Sequence, residues 1–410
     1  MGIFSRLFKP KESPQNSLTT SRPFFFGRAS ADVSVNERTA MQTTAVYACV
    51  RVISETIASL PLHLYRYEGN GSLIESAHPL YDILHTVPNP EMTSFIFRET
   101  MMAHILLYGN AFAQIIRDGA GRVKHLYPLL PNKMDVWRDD AGEVYYTYYR
   151  DSDETRPYDK SGGVTLHRED VLHIPGLSFD GLVGYSPIAL ARNAIGMSIA
   201  AENYGATFFA NGANPGGVLE HPGTFNDPAK IRDTWESIYR GKGANRIAVL
   251  EEGLKFHTVG IPPDQAQFLE TRRFQLNEIA RIFLVPPHMI GDLDKATFSN
   301  IEHQSINFLM HTIEPWVKRL EQSMDMALLT HQERKKYMIK FNIDGMLRGD
   351  YKTRMDGYSI GRRNGWLSAN DIRALERLTP IPAEDGGDRY LVNGNMVDLK
   401  QAGHFVKENK

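Results

Sequence analysis

Residues 264–326 read DQAQFLETRRFQLNEIARIFLVPPHMIGDLDKATFSNIEHQSINFLMHTIEPWVKRLEQSMDM. In the first half Leu269, Leu276, Ile279, Ala280 and Phe283 fall on one face of a 3.6-residue period. Glu270, Asn277 and Arg281 fall on another, the pattern of an amphipathic helix. Pro286-Pro287 predicts its end, because proline has no N–H to donate and its ring clashes with the preceding turn. The chain restarts at Ser299-Asn300-Ile301-Glu302, a Ser-x-x-Glu capping box. From there Leu309, Ile313, Trp316, Leu320, Met324 and Ala327 recur at helical spacing, and Pro315 inside that run predicts a kink. Between the helices Pro287 to Phe298 form a polar connection of about a dozen residues. Loops of that length are more often functional or mobile than tight turns, although an ordinary helical pair can also carry one.

The flanking chain divides around this segment. Residues 1–30 are rich in Ser, Thr, Pro and Asn and read as a flexible arm. Thr43 to Ser59 reads as a helix stopped by Pro61, and Leu62 to Tyr67 alternates as a strand. Tyr81 to Thr86 reads as a short helix. Another, capped by Thr93 or Ser94, runs to Tyr108 and closes at Gly109-Asn110. Strands are predicted over Ala111–Arg117, Val123–Tyr127, Met134–Arg138, Glu143–Tyr149 and Val171–Ile174. Helices followed by an antiparallel meander give an α+β class. Ser186-Pro187 opens a helix reaching Ala210, about 25 residues or roughly 37 Å of rod. Its many small residues suit either a buried core helix or packing against another subunit.

Residues 213–261 read as a β-α-β-β insert: a strand at Gly217–Glu220, a helix from Asp227-Pro228 to Gly241, and a hairpin of Arg246–Leu250 with Leu254–Val259. Lys230, Arg232, Arg240, Lys242 and Arg246 give it a basic bias, which reads as a solvated face or a docking surface. Lys340 to Ile343 reads as a strand returning to the first block. From Asp350 the chain is helical and basic, and past Thr379 it reads as loose.

Composition narrows the function. The 410 residues hold 46 Lys+Arg against 48 Asp+Glu, a net charge of −2. A protein that grips DNA through many phosphate contacts carries more Lys and Arg than this. The one cysteine, Cys49, lies in the stripe Val46, Val50, Ile53, Ile57 and reads as a buried small hydrophobe. A single cysteine permits neither an intrachain disulfide nor a cysteine metal site. No apolar run reaches the roughly 18 residues needed to span a bilayer, so no membrane contact is expected beyond a possible role for the amphipathic Met1–Lys9.

Catalytic motifs are missing. There is no Gly-x-x-x-x-Gly-Lys-Ser/Thr loop. Gly241-Lys242-Gly243 follows a helix rather than a strand and lacks the last glycine of a dinucleotide loop. Gly184-Tyr185-Ser186 begins like a nucleophile elbow, but Pro187 has no N–H for an oxyanion hole. His303 and His311 lie too far apart for a His-Glu-x-x-His zinc site. No metal or cofactor is expected. One alternative stays open: a metal-dependent nuclease or hydrolase using His288, Asp292 and Asp294.

Several stretches together resemble the portal proteins of tailed bacteriophages, long-tailed type. They are Ala45–Ile53 with Ile57-Ala58-Ser59-Leu60-Pro61, His78-Pro79-Leu80 with Pro88-Asn89-Pro90, Leu107–Ala111, Gly184–Ile188, Glu278–Phe283, and Val285–Gly291. The resemblance covers residues 36–345. It implies the portal fold and a ring, usually of twelve subunits, at one capsid vertex of the virion, assembled in the host cytoplasm. It implies no enzyme activity. Double-stranded DNA would pass through the bore, and the large terminase, the head–tail adaptor and the major capsid protein would be the partners. Residues 31–185 with 300–345 would be the wing, 186–212 with 262–286 the stem helices, 213–261 the clip, and 346–410 the crown and tail. Residues 287–299 would be the tunnel loop, presenting His288, Asp292, Asp294, Lys295, Thr297 and Ser299 to DNA. The clip would turn Lys230, Arg232, Arg240, Lys242 and Arg246 toward terminase and adaptor.

Overall fold

The computed structural model describes residues 33–69, 71–149, 162–210, 217–223, 227–239, 253–258, 265–293, 298–343, 351–376 and 378–391. The chain divides into two compact units, Met1–Asn342 and Ile343–Lys410.

In the first unit α1 (Glu37–Gln42) precedes α2 (Thr44–Ser59). Asn36 caps α1 in a reciprocal box with Thr39. The expected helix from Thr43 therefore has a short neighbour in front of it. The α2 stripe Val46, Cys49, Val50, Ile53 and Ile57 is buried, and it packs against α4 (Ser94–Tyr108). Each such Ile or Val contributes roughly 1.5–3 kcal/mol on burial. Between these helices come β1 (Leu62–Glu68), β2 (Gly71–Ile74) and α3 (Pro79–His85). Strand β2 was not visible in the sequence: it is a four-residue edge with no buried residue.

The next strands are β3 (Asn110–Arg117), β4 (Val123–Leu129), β5 (Met134–Arg138), β6 (Val144–Tyr149), β7 (Gly163–His167) and β8 (Val171–Pro175). They do not form one meander. Strand β8 returns to pair with β3, giving the order β4-β3-β8, while β5-β6-β7 form a separate sheet. All pairings are antiparallel. Strand β3 is central because Ala111, Phe112, Ala113 and Ile115 are all buried. Phe112, Leu129 and Val171 meet Val136, Val144 and Tyr146 in a core between the two sheets.

Two structural devices fasten this block to the rest of the first unit. The first is a junction of three glycines. Gly109 ends α4 in the left-handed region at φ 79°, where a side chain would be strained. Its carbonyl accepts the Gly176 N–H at 2.7 Å. The Asn110 side chain pairs with both backbone groups of Gly184, at 2.8 Å each. Ser186 Oγ donates to Leu107 O at 2.6 Å and accepts the Ala189 N–H as the cap of α5 (Pro187–Leu190). Thus Leu107–Ala111 and Gly184–Ile188, distant in sequence, form one joint.

Asn110 Oδ1 also receives a hydrogen bond from His173 Nε2 at 3.0 Å, and His173 Nδ1 accepts from the Tyr146 hydroxyl. Burial between Phe112 and Tyr146 pushes His173 down to about 3. The unfolded ring titrates near 6.5, so this contribution is complete above pH 6.5 and is lost as pH falls toward 3. Urea unfolding of His173→Gln should therefore show a shallower loss of stability between pH 6 and 4, by up to about 1.4 kcal/mol per pH unit. Parallel profiles for the two proteins would refute this.

The second device covers an edge. After α10 (Glu314–Leu328), β11 (Tyr337–Phe341) pairs with β1, with Leu62 opposite Phe341 and Leu64 opposite Ile339. Glu321 and Asp325, one turn apart on α10, accept the N–H groups of Phe341 and Ile339, each at 2.8 Å. Two carboxylates thus satisfy backbone donors that the sheet leaves open.

The rod expected from Pro187 to Ala210 is broken. Helix α5 stops at Leu190, Ala191 leaves helical geometry at φ −93°, ψ 12°, and α6 (Arg192–Ala210) resumes. One face of α6 is buried within the chain at Ile195 and Ser198, beside α8 (Gln265–Phe283) with its Gln275 and Ile279. Met197 and Tyr204 remain exposed. Between α6 and α8 lie β9 (Gly217–Glu220), α7 (Pro228–Tyr239) and β10 (Lys255–Thr258), with β10 antiparallel to β9. The predicted strand Arg246–Leu250 lies outside the described residues.

The second unit contains α11 (Tyr351–Arg363) and α12 (Ala369–Leu375). Ser368 caps α12 in a box with Asp371. The segment after Thr379 is not loose as far as residue 391. Asn370 exchanges hydrogen bonds with both backbone groups of Ile381, and Arg373 Nε donates to Thr379 O.

Candidate nucleic-acid interface

The element between α8 and α9 (Phe298–Phe308) is built by a conflict between helix and proline. Residues before proline are driven out of the α region, so Val285 must be extended. The helix therefore closes one residue earlier. Val285 N–H bonds Ala280 O at 2.9 Å and Leu284 N–H bonds Arg281 O at 3.3 Å, the pattern of a Schellman motif. Its left-handed position, usually glycine, is Leu284 at φ 54°. That conformation costs an L-residue about 1–2 kcal/mol. The Leu284 side chain is 59% exposed, whereas Val285 is buried.

A 3₁₀ turn comes next over Pro287–Ile290 and is closed by Gly291 at φ 94°. Asp292 N–H bonds back to Pro287 O at 3.0 Å. The expected open loop therefore begins as a compact turn. Its His288 Nδ1–H points to Gln304 Oε1 at 2.8 Å. The carbonyl of Leu284 accepts from Thr312 Oγ1 at 2.6 Å. Gln304 and Thr312 thus both reach this segment from the second helix, and Phe308 and Thr312 are buried.

That helix is not uniform. Leu309–Ile313 is π-helical, with Glu314 N–H bonded to Leu309 O. The kink expected from Pro315 takes this form. Pro315 stands directly after the wide turn in a helix that runs on without a break, and the widened turn makes room for a ring that would otherwise clash with the preceding turn. The Ser299 capping box does not operate, because the helix starts at Phe298 and Ser299 lies inside it.

Of the sequence-derived residues, the structure places His288 and Asp292 on the turn. Asp294, Lys295 and Thr297 lie outside the described residues, and of Ser299 only the helical backbone is described. On the insert Lys230 is exposed, and its N–H bonds the capping Asp227 Oδ1 at 3.1 Å. Arg232 is tied to Asp233 at 2.8 Å, so it adds little to a basic face. Arg240, Lys242 and Arg246 lie outside the described residues. Trp235 stacks on Phe256 at 5.7 Å and holds α7 to the two-stranded sheet. Sequence reasoning missed Leu284, Gln304 and Thr312. Among the described residues no three of His, Cys, Asp or Glu cluster as metal ligands, and no helix is long and apolar enough to cross a membrane.

The family model for phage portal proteins matches residues 44–376. This chain belongs to the phage portal protein family. It is 39% identical over 420 residues to the probable portal protein of Streptomyces phage phiC31, covering 97% of this chain and 90% of that one. It is 32% identical over 408 residues to the portal protein of Enterobacteria phage HK97, covering 98% and 92%. A chain from the neck of an empty GTA particle, computed with C6 symmetry, superposes with a TM-score of 0.58 at 24% identity, covering 84% and 93%. The α+β fold is that of portal proteins. Family membership does not support the nuclease or hydrolase alternative at residues 288–294.

Proposed function

We propose that twelve copies of this portal protein close into a ring at one capsid vertex, and that double-stranded DNA moves through the bore during packaging, retention and ejection. The observation that supports this most is the α8–turn–α9 element in a chain of this family. It is a braced turn at the end of one helix, followed by a short connection carrying Lys295 between Asp294 and Thr297. A net charge of −2 suits a conduit. Dense Lys and Arg would hold phosphates by counterion release and oppose sliding, whereas one lysine per copy makes a sparse ring.

In this reading residues 31–185 with 300–345 are the wing and 186–212 with 262–286 the stem. Residues 287–299 are the tunnel loop, 346–410 the crown and tail. The clip, 213–261, docks the large terminase and then the head–tail adaptor through Lys230 and its basic neighbours, and the major capsid protein surrounds the ring. The protein acts without catalysis or cofactor, in the virion and, before that, in the host cytoplasm.

Negative-stain microscopy of protein produced with its capsid partners should show closed annuli, and a persistent monomer there would reject the ring. Lys295→Glu should leave annuli intact and lower titre by about ten-fold or more through lost DNA retention. Unchanged packaged genome length and titre would reject the channel role of this loop.

A further inference from the structure

The two backbone irregularities of the channel element are joined by one hydrogen bond. Leu284 stands in the left-handed region at φ 54°, and Leu309–Ile313 is π-helical. Thr312 Oγ1, in that wide turn, donates to the Leu284 carbonyl across 28 residues at 2.6 Å. Thr312 is 3% exposed, so water cannot readily replace it as a donor. An extra residue in a helical turn rotates the helix on its N-terminal side by about 100° relative to the helix on its C-terminal side. The π turn therefore sets which side of α9 faces the 3₁₀ turn, and with it the approach of Gln304 to His288. Pro315 accounts for a local irregularity. It does not account for a threonine at 312 whose hydroxyl reaches the one non-glycine residue with positive φ among those described.

We infer that Thr312 is a positioning residue: its hydroxyl locks Leu284 in the left-handed conformation and so holds the 3₁₀ turn at Pro287–Ile290 against the second helix. Valine at 312 fills the same space and lacks the donor. Serine keeps the donor and loses a methyl group. Glycine at 284 adopts the left-handed conformation without strain, so it removes the need for the lock.

The test is hydrogen exchange on the assembled ring, measured at the amides of Val285, Met289 and Asp292. These bond to Ala280, Pro286 and Pro287 and report closure of the turn. Thr312→Val should speed their exchange by roughly ten-fold, and Thr312→Ser should leave it near the parent rate. Leu284→Gly combined with Thr312→Val should restore slow exchange. Unchanged exchange in Thr312→Val, or equal acceleration in Thr312→Ser, overturns the inference.

The consequence for DNA rests on the channel reading, and there the same Thr312→Val particles should retain less genome. If Lys295→Glu particles retain DNA normally while Thr312→Val still accelerates exchange, the channel reading fails and the lock stands.

Discussion

Gly184→Ala should yield a chain that fails to reach the native fold, or one destabilised by about 4 kcal/mol or more. A Cβ at 184 would lie 2.0 Å from the Gly109 carbonyl oxygen and 2.5 Å from the Gly176 nitrogen. Both neighbours are backbone, and the two are hydrogen-bonded to each other, so neither can rotate aside. The opening that a methyl group would force separates the end of α4 from the end of β8 and breaks the two bonds from Asn110. Gly181, three residues earlier, is the control. Its φ is 75° and the space around an added Cβ is empty, so Gly181→Ala should cost only the torsional strain, about 1 kcal/mol. Denaturant midpoints and soluble yield distinguish the two. Parent-like stability in Gly184→Ala would show that the joint is looser than its distances indicate.

Glu321→Ala should cost about 2–4 kcal/mol, and the reason is not the ion pair. Lys340 Nζ lies 2.5 Å from Glu321 Oε2, but the lysine side chain is 41% exposed. The carboxylate itself is 5% exposed, so the attraction is largely offset by the cost of taking that charge out of water. The larger effect is on the Phe341 N–H, which is buried and has Glu321 Oε1 as its acceptor. Leaving such a donor unsatisfied costs about 1–3 kcal/mol, and the truncated side chain adds a small cavity. Glu321→Gln keeps an acceptor at Oε1 and should cost about 1 kcal/mol. If Glu321→Gln proves as damaging as Glu321→Ala, the pair matters rather than the covered strand edge.

Features governed by nearby residues could be read from the sequence. The α4 end at Gly109 depends on atoms within one turn. The apolar stripes of α2 and α10 mark buried faces for the same reason. Features that need distant partners were hidden. Nothing in Ala111–Arg117 announces that its second neighbour is β8, some 60 residues on. The Ala191 break has no helix-breaking residue to signal it. Ser299 matched a capping pattern, yet Phe298 already adopts helical geometry. Between α8 and α9 Pro286 marked the stop, but the position of the exit came from its effect on Val285. His288 was recognisable as a candidate. Its partner Gln304 and the Thr312 donor lie 16 and 28 residues from the groups they bind, and no local pattern connects them.

Cys49 has a practical consequence. It is 0% exposed, and burial pushes its thiol up to about 12. At neutral pH almost none of it is thiolate, the form that reacts with maleimides. The unmodified chain should therefore serve as a cysteine-free background for dye chemistry, with no maleimide labelling of the folded protein as the check. Under the proposed channel function, Lys295→Cys would carry a single fluorophore per copy without removal of Cys49, and changes in its emission would track genome entry in real time.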